Sequence, residues 1–385
     1  MNRISDFQFL MPTKVLFGTG QISKTGEEAA RLGKKALVVT GFKAMRQAGI
    51  TGQVEQSLTA HGLTFELFEK VEANPSTDTV DAGVKLALET GCDLVIGLGG
   101  GSAIDAAKAI ASAGGLNAPI LTLMEKGMSE KGFPCIAIAT TSGTGAEVTA
   151  ISVLTVRSKN RKDALRSPYN FPDVAIVDPG LTLNLTPYLT ANTGIDALTH
   201  AVEAYTSRTA NPVSDLYACK AIALVNKYLR RAVLVGNDLE AREGMALASN
   251  LGGIAIAYAG VGAAHGLGMT IGGICNTDHG ISVGIALPYV IEFNLAANLE
   301  KYRDVAQILG EDTKNLSLRD GAKLAAQAVL NLMIDLKLPL KYSKIGVQPE
   351  LLTSLVEDTK TQRAMLNNPI FATEEDIKGL YQALL

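Results

Sequence analysis

Three of the four histidines in this 385-residue chain fall where they could share one ion. Asp196 and His200 are spaced i, i+4 in TGIDALTHAVEAYTS, a stretch with helical periodicity, so a carboxylate and an imidazole lie on one helix face. Such a pair in isolation is also an ordinary helix-face hydrogen bond. His265 and His279 occur in GAAHGLG and NTDHGIS, each followed by Gly and set among small residues. A lone histidine there is usually a satisfied core residue. Three histidines beside one well-placed aspartate, in two mostly apolar regions, are a different case. Burying that many unpaired polar groups is costly, and a shared metal removes the cost. Three imidazoles with one carboxylate suit Fe2+ or Zn2+ rather than Ca2+ or Mg2+, and the ligand types do not choose between the first two. His61 sits at a separate helix–strand junction and reads as a surface residue.

Two glycine-rich loops have the make-up of phosphate sites. In Gly99-Gly100-Gly101-Ser102, between an apolar β-rich run and a helical one, the missing side chains let backbone N–H groups approach a phosphate. The helix that follows adds unpaired donors and the positive end of its dipole. Ser102-x-x-Asp105 has the form of a capping box with Asp in place of Glu, which predicts the helix start there. A ligand-free turn needs fewer than three glycines in succession. The run is neither GxGxxG nor GxxxxGK followed by Ser or Thr, so a standard Rossmann fingerprint and a P-loop kinase are unsupported. The second loop, TTSGTGAE from Thr140 to Glu147, also follows a strand. Its hydroxyls and exposed backbone suit ribose, pyrophosphate or base edges, although alone it is also an ordinary polar loop. The two reinforce each other, because ligands collect at the carboxyl ends of parallel strands.

The elements that must position these residues change character midway. β-rich runs at residues 35–40, 64–69, 93–98, 135–140, 151–156 and 174–177 alternate with helical patterns at 44–61, from the Asn74-Pro75-Ser76 start signal to Thr90, and at 102–113. Strands apolar on both faces and separated by helices predict an α/β domain with a doubly wound, mostly parallel sheet. From Thr190 onward the spacing is helical, as at 213–229, 239–257, 318–336 and 374–384, and the second half is predicted to be all-helical. The expected division is an α/β domain over 1–183 and a helical domain over 184–385, with the active site in the cleft between them.

Composition narrows the function classes. About 150 residues per domain gives two or three domains. Hydrophobic residues at 47% and charged residues at 19% exclude a disordered chain. A net charge of −3 argues against a protein that coats nucleic acid or an anionic membrane. Cys92, Cys135, Cys219 and Cys275 are isolated from one another, as expected of a reducing compartment, and no apolar N-terminal run resembles a signal peptide. Residues 251–277 lack Lys, Arg, Asp and Glu, but eight glycines between Gly252 and Gly273 interrupt them. They read as buried interior rather than a membrane span. A cytoplasmic protein is the expectation.

Taken together, the chain resembles the iron-containing (group III) alcohol dehydrogenase family. The matching runs are GGGSAIDAAKA (99–109), TTSGTGAEVT (140–149), VAIVDP (174–179), GIDALTHAVEAY (194–205) and HGLGM with NTDHGISVGIALPYVIEFN (265–294). They stand in order and with family-like spacing over most of residues 12–300. The resemblance implies a dinucleotide-binding domain followed by a helical metal-binding domain. It implies Asp196, His200, His265 and His279 as ligands of Fe2+ (or Zn2+), and Gly99, Gly100, Gly101 and Ser102 as the pyrophosphate loop. Asp105 is counted with that loop, and Asn74, Thr140, Thr141, Thr144 and Lys162 are implied as further contacts to NAD or NADP. The implied activity is hydride transfer between NAD(P) and a small primary or secondary alcohol, in a homodimer or larger homo-oligomer, with no nucleic-acid or membrane partner. The competing readings are a glycerol dehydrogenase-like, maleylacetate reductase-like or dehydroquinate synthase-like relative, and a non-catalytic nucleotide or metal sensor.

Two positions depart from the family pattern. Many members carry a second histidine four residues after the third ligand, near the nicotinamide. Here that residue is Met269, which cannot carry a proton. NAD-preferring members often have Asp after the first strand, where it repels a 2′-phosphate; here the matching residue is Gly41. Loss of that repulsion, with Lys43 and Arg46 nearby, admits NADP(H), although those two cations are also ordinary for a solvated helix start.

Overall fold

The computed structural model describes residues 6–159 and 161–385. Its contacts group the chain into two units. One comprises Leu10–Thr141 with Gly145–Asn184; the other comprises Leu185–Leu385 with Ser142–Thr144 and the segment ending at Phe9.

The first unit is α/β. Eight strands are described: β1 Lys14–Phe17, β2 Lys35–Gly41, β3 Thr64–Val71, β4 Leu94–Gly99, β5 Cys135–Ala139, β6 Ile151–Val156, β7 Arg161–Arg166 and β8 Val174–Val177. Six form one sheet in the order β1-β8-β5-β4-β2-β3, with every neighbouring pair parallel. Both faces are covered, as a parallel sheet requires. Leu37, Val39 and Val95 enter one apolar cluster, while Ala36, Val38, Leu94, Ile96 and Leu98 enter another. This is the period-two alternation of a strand buried on both sides.

Three expectations need correction. Residues 151–156 do not extend the parallel sheet. They form an antiparallel hairpin with Arg161–Arg166, from Ile151 opposite Arg166 to Val156 opposite Arg161. Their alternating burial fits a half-covered ribbon. Residues 44–61 are not one helix: a short turn at Ala44–Gln47 is separated from Ile50–Ala60 by Gly49, whose φ of 73° lies in the left-handed region and ends the first turn. The helix after β4 starts at Gly101, with Gly100 as its N-cap and no side-chain cap, so Ser102 and Asp105 form no capping box. Both side chains are used elsewhere, as described below.

The regular elements of the second unit are all helical among its described residues. Its core is a single apolar cluster gathered from Pro187–Thr206, Pro212–Leu234, Leu239–Ala259, Ala263–Cys275, His279–Asn294 and the C-terminal helices. The glycine-rich run is interior: Leu239–Ala259 and Ala263–Cys275 meet at 103° around Gly260. The stretch His279–Ala297 is long and apolar enough to cross a membrane by composition, with 72% of its apolar window buried against the rest of the protein.

Candidate active site

The carboxyl edge of the parallel sheet collects most of the residues singled out as dinucleotide contacts. β4 and β5 are neighbours, and Gly99 pairs with Ala139 as their last residues. The two glycine-rich loops therefore leave the sheet side by side, and the Thr140 N–H donates to the Gly99 carbonyl at 3.0 Å. Gly99 has φ +150°, and a Cβ there would lie 2.8 Å from Ala103 Cβ. A Cβ at Gly100 would lie 3.1 Å from Thr141 Oγ1. Only glycine keeps this edge open, and the helix Gly101–Gly115 aims its free N–H groups at it. Gly41 ends β2 on the other side of β4. Asn74, after β3, adopts φ 59°, a left-handed conformation that Asn tolerates. Its N–H donates to Ser102 Oγ at 3.3 Å, and its Oδ1 accepts from Lys162 Nζ at 2.8 Å. Asn74, Ser102 and Lys162 thus form one chain of contacts. Burial disfavours the charged Lys162 ammonium and pulls its pKa down to about 8. Thr144 belongs to the helical unit. Arg46, one of the two cations near Gly41, already pairs with Glu69 at 2.9 Å and with Glu55 at 3.4 Å.

Asp105 is committed inside the unit. It accepts the Val153 N–H at 3.0 Å and lies 3.0 Å from the Lys108 ammonium. Lys108, one of the most buried side chains in the chain, also donates to the carbonyls of Ala146 (2.9 Å), Thr149 (3.3 Å) and Ile151. The pair pins the loop-bearing helix to the end of the second glycine-rich loop and to the segment that follows it. Sequence reasoning missed Lys108; the available signal was a single cation inside the otherwise apolar run AAKAIA.

In the helical unit, Asp196 and His200 stand on Pro187–Thr206, which starts at a Thr186 cap with Pro187 in its first turn. His265 is in the first turn of Ala263–Cys275, and His279 is the first residue of His279–Asn294. Asn192, one turn before Asp196, accepts the Ile281 N–H at 2.7 Å, and a Cβ on Gly280 would lie 2.0 Å from the Asn192 carbonyl. This close approach fixes His279 against the helix that carries Asp196.

Three imidazoles converge on one oxygen. Asp196 Oδ1 lies 3.8 Å from His200 Nε2, 3.6 Å from His265 Nε2 and 3.8 Å from His279 Nε2. These separations are too long for hydrogen bonds. They approach the roughly 3.3–3.5 Å between two ligands that each stand about 2.0–2.2 Å from a common tetrahedral ion. The ligand atoms of Asp196, His265 and His279 all lie within 4.8 Å of one another. His200 stands just outside that tighter group, with its ring stacked on His265 at 4.5 Å between centroids. Asp196 Oδ1 and His265 Nε2 are buried without a hydrogen-bond partner. Two orphaned buried acceptors pointing at one place are what a cation would satisfy. The donor set fits a divalent transition ion.

Local charge agrees. Burial alone would protonate Asp196, but His200, His279 and His265 hold its carboxyl well below the usual range. Burial pulls His200 down and keeps it neutral, as a ligand must be. Its Nδ1 lies 3.3 Å from the Gly143 carbonyl, which can only accept, so Nδ1 carries the proton and Nε2 the lone pair. Burial also opposes charge on His265, yet Glu203 and Asp196 outweigh it and raise its pKa to about 9. The two carboxylates therefore favour positive charge beside that ring. Met269 lies one turn beyond His265 on the same helix and is half-buried.

Glu203 was missed by sequence reasoning. It is 4% exposed, and its Oε2 lies 2.5 Å from His265 Nδ1. The signal was present in GIDALTHAVEAY: Asp196, His200 and Glu203 follow i, i+4, i+7, so the acid shares the face of Asp196 and His200. His61 caps Ile50–Ala60 at the surface, apart from all of this.

Comparison with known proteins adds the following. Residues 12–179 match the family "Iron-containing alcohol dehydrogenase", and residues 190–385 match "Fe-containing alcohol dehydrogenase family, C-terminal". A 1,3-propanediol dehydrogenase of Citrobacter freundii is 37% identical, covering 98% of both chains. An NAD-dependent methanol dehydrogenase of Bacillus methanolicus is 34% identical over 98% of this chain and 99% of its own. The solved structure of an alcohol dehydrogenase from Oenococcus oeni superposes with a TM-score of 0.96 at 35% identity, covering 99% of this chain and 100% of that one.

Proposed function

The chain belongs to the iron-containing alcohol dehydrogenase family, and from that premise we propose that it transfers hydride between NAD or NADP and a small primary or secondary alcohol, reducing the corresponding carbonyl compound in reverse. In this reading Asp196, His200, His265 and His279 hold one Fe2+ or Zn2+ ion. Gly99, Gly100, Gly101, Ser102, Asn74, Thr140, Thr141, Thr144 and Lys162 bind the dinucleotide, with Gly41 beside its ribose. When bound, the ion supplies Lewis acidity at the substrate oxygen and the nicotinamide supplies the hydride chemistry.

The chain's own residues do the rest. Asp196 contributes the one negative ligand charge, and His200 keeps its Nε2 lone pair available by donating Nδ1–H to Gly143. Gly99 and Gly100 let main-chain N–H groups reach the pyrophosphate, and the helix Gly101–Gly115 adds its dipole. Lys162, positioned by Asn74, donates to the nucleotide while protonated. Met269 takes no part in proton transfer, so the alcohol proton leaves through ribose hydroxyls and solvent.

The observation that carries the reading is the convergence of three Nε2 atoms on Asp196 Oδ1 at 3.6–3.8 Å. The test is a panel of short alcohols and aldehydes with NAD(H) and with NADP(H), run on the parent and on His265→Ala, with metal content measured alongside. The variant should lose both bound metal and turnover. Full turnover by a metal-free variant would overturn the assignment.

A further inference from the structure

We propose that Glu203 is the positioning residue that prepares His265 for the metal: its carboxylate accepts a hydrogen bond from the Nδ1–H of His265 and holds the proton there, so that Nε2 faces the ligand cluster with its lone pair. The inference rests on the metal reading above and extends it to a residue outside the ligand set.

Glu203 is a buried acid whose burial needs compensation. Among the described residues no Lys or Arg pairs with it. Its partners all belong to the start of one helix. Oε1 accepts the Ala264 N–H at 2.6 Å and the His265 N–H at 3.4 Å, while Oε2 lies 2.5 Å from His265 Nδ1. The N-cap of Ala263–Cys275 is Gly262, which supplies no side-chain cap, and a Cβ there would lie 3.1 Å from Glu203 Oε1. Glu203 therefore caps that helix from a neighbouring one and grips the imidazole of its third residue with the same carboxylate. A carboxylate only accepts, so Nδ1 must be the protonated nitrogen. The opposite ring nitrogen, Nε2, is the one left buried without a hydrogen-bond partner and 3.6 Å from Asp196 Oδ1. Rotation of the ring and the other tautomer are both blocked by one acid. Outer partners of this kind orient a ligating imidazole and raise its basicity.

Glu203→Gln is the informative change, because it preserves shape. Truncation to Ala would enlarge the cavity of about 10 Å³ that Glu203 lines with Thr206, Asn294, Tyr302 and Asn368. An amide has one acceptor and one donor end. With its oxygen on the Ala264 N–H, its NH2 faces His265 Nδ1 and forces the proton onto Nε2, which closes the ligand. With the amide reversed, the NH2 group opposes the Ala264 N–H and the cap is lost.

The experiment is calorimetric titration of Zn2+ into chelator-treated protein for the parent, Glu203→Gln, His265→Ala and the double variant, with NADH affinity of the metal-free proteins as a control. Glu203→Gln should weaken Zn2+ binding about 10–100-fold and leave NADH affinity unchanged. Added to His265→Ala, which itself should retain little Zn2+ affinity, it should remove none of what remains, because its effect on the metal runs through that ring. Parent-like Zn2+ affinity in Glu203→Gln, or a loss that adds to that of His265→Ala, overturns the assignment of Glu203 alone. Failure of the parent to bind Zn2+ overturns the metal reading and this inference together. A measurement without variants covers the case of a misfolded Glu203→Gln. In the Zn2+-loaded parent, nitrogen–proton correlation spectra of labelled histidine must show His265 Nδ1 protonated, and an unprotonated Nδ1 refutes the proposal.

Discussion

Replacing Lys108 with Met tests how the glycine-rich edge of the parallel sheet is held. The ammonium is buried, lies 3.0 Å from Asp105 Oδ1 and donates to the carbonyls of Ala146, Thr149 and Ile151. Met matches the stem in volume, so the change removes charge and hydrogen bonds with little cavity. Breaking a buried pair by deleting one partner costs about 3–5 kcal/mol, because the other charge stays behind. For a unit of this size that corresponds to a fall of roughly 6–20 °C in the melting temperature. Burial already raises the Asp105 pKa, with Lys108 opposing the rise. Without Lys108 the rise grows. A carboxyl whose folded pKa exceeds its unfolded one binds more protons when folded, so stability falls as pH rises across that window. The deficit of Lys108→Met should therefore be smaller in mildly acidic buffer than in mildly alkaline buffer. Adding Asp105→Asn, which keeps an acceptor for the Val153 N–H, should recover at least about 1 kcal/mol, since removing both charges avoids the orphan. Calorimetry and denaturant titration of the α/β unit's transition supply the numbers. A loss below about 1 kcal/mol, or no recovery in the double variant, would show that Lys108 and Asp105 do not hold this edge as a buried pair.

Gly99→Ala places a Cβ 2.8 Å from Ala103 Cβ at φ +150°, a strain of about 1–3 kcal/mol, and should weaken NADH binding in fluorescence titration by about tenfold or more. Gly41→Asp has room, its nearest obstacle being the Val71 carbonyl at 3.4 Å, and should lower NADP(H) affinity more than NAD(H) affinity; equal losses count against the ribose assignment. Lys162 carries its positive charge only while protonated, so affinity for the anionic cofactor should fall as pH rises through about 8, and Lys162→Met should flatten that dependence. The same depressed lysine pKa makes fold stability rise with pH above about 8, where the unfolded chain binds the extra proton. Affinity and stability should thus move in opposite directions.

What could be read from the sequence was what depends on local spacing. The i, i+4 pair Asp196 and His200, the three glycines after an apolar strand, and the change to helical spacing after Pro179 are all short-range signals, and the structure carries each of them. What escaped depends on partners distant in the chain. The strand Arg161–Arg166, RKDALR, has four charged residues and no β-rich run; it exists because Ile151–Val156 pairs with it. Asp105 looked like a capping residue because the rule is local, whereas its N–H partner is Val153, 48 residues away. Lys108 and Glu203 were charges in apolar helices, and only the fold reveals the carbonyls and the imidazole they serve.

The number of divalent ions bound per chain, measured together with NAD(P)-linked turnover of an alcohol panel as metal is removed and restored, decides whether Asp196, His200, His265 and His279 form one metal centre. One site is predicted, with turnover lost on chelation, regained in proportion to the Fe2+ or Zn2+ returned, and absent in Asp196→Ala at every metal concentration. Full turnover from metal-free protein, or unchanged metal content in Asp196→Ala, would contradict the claim that Asp196, His200, His265 and His279 form one metal centre.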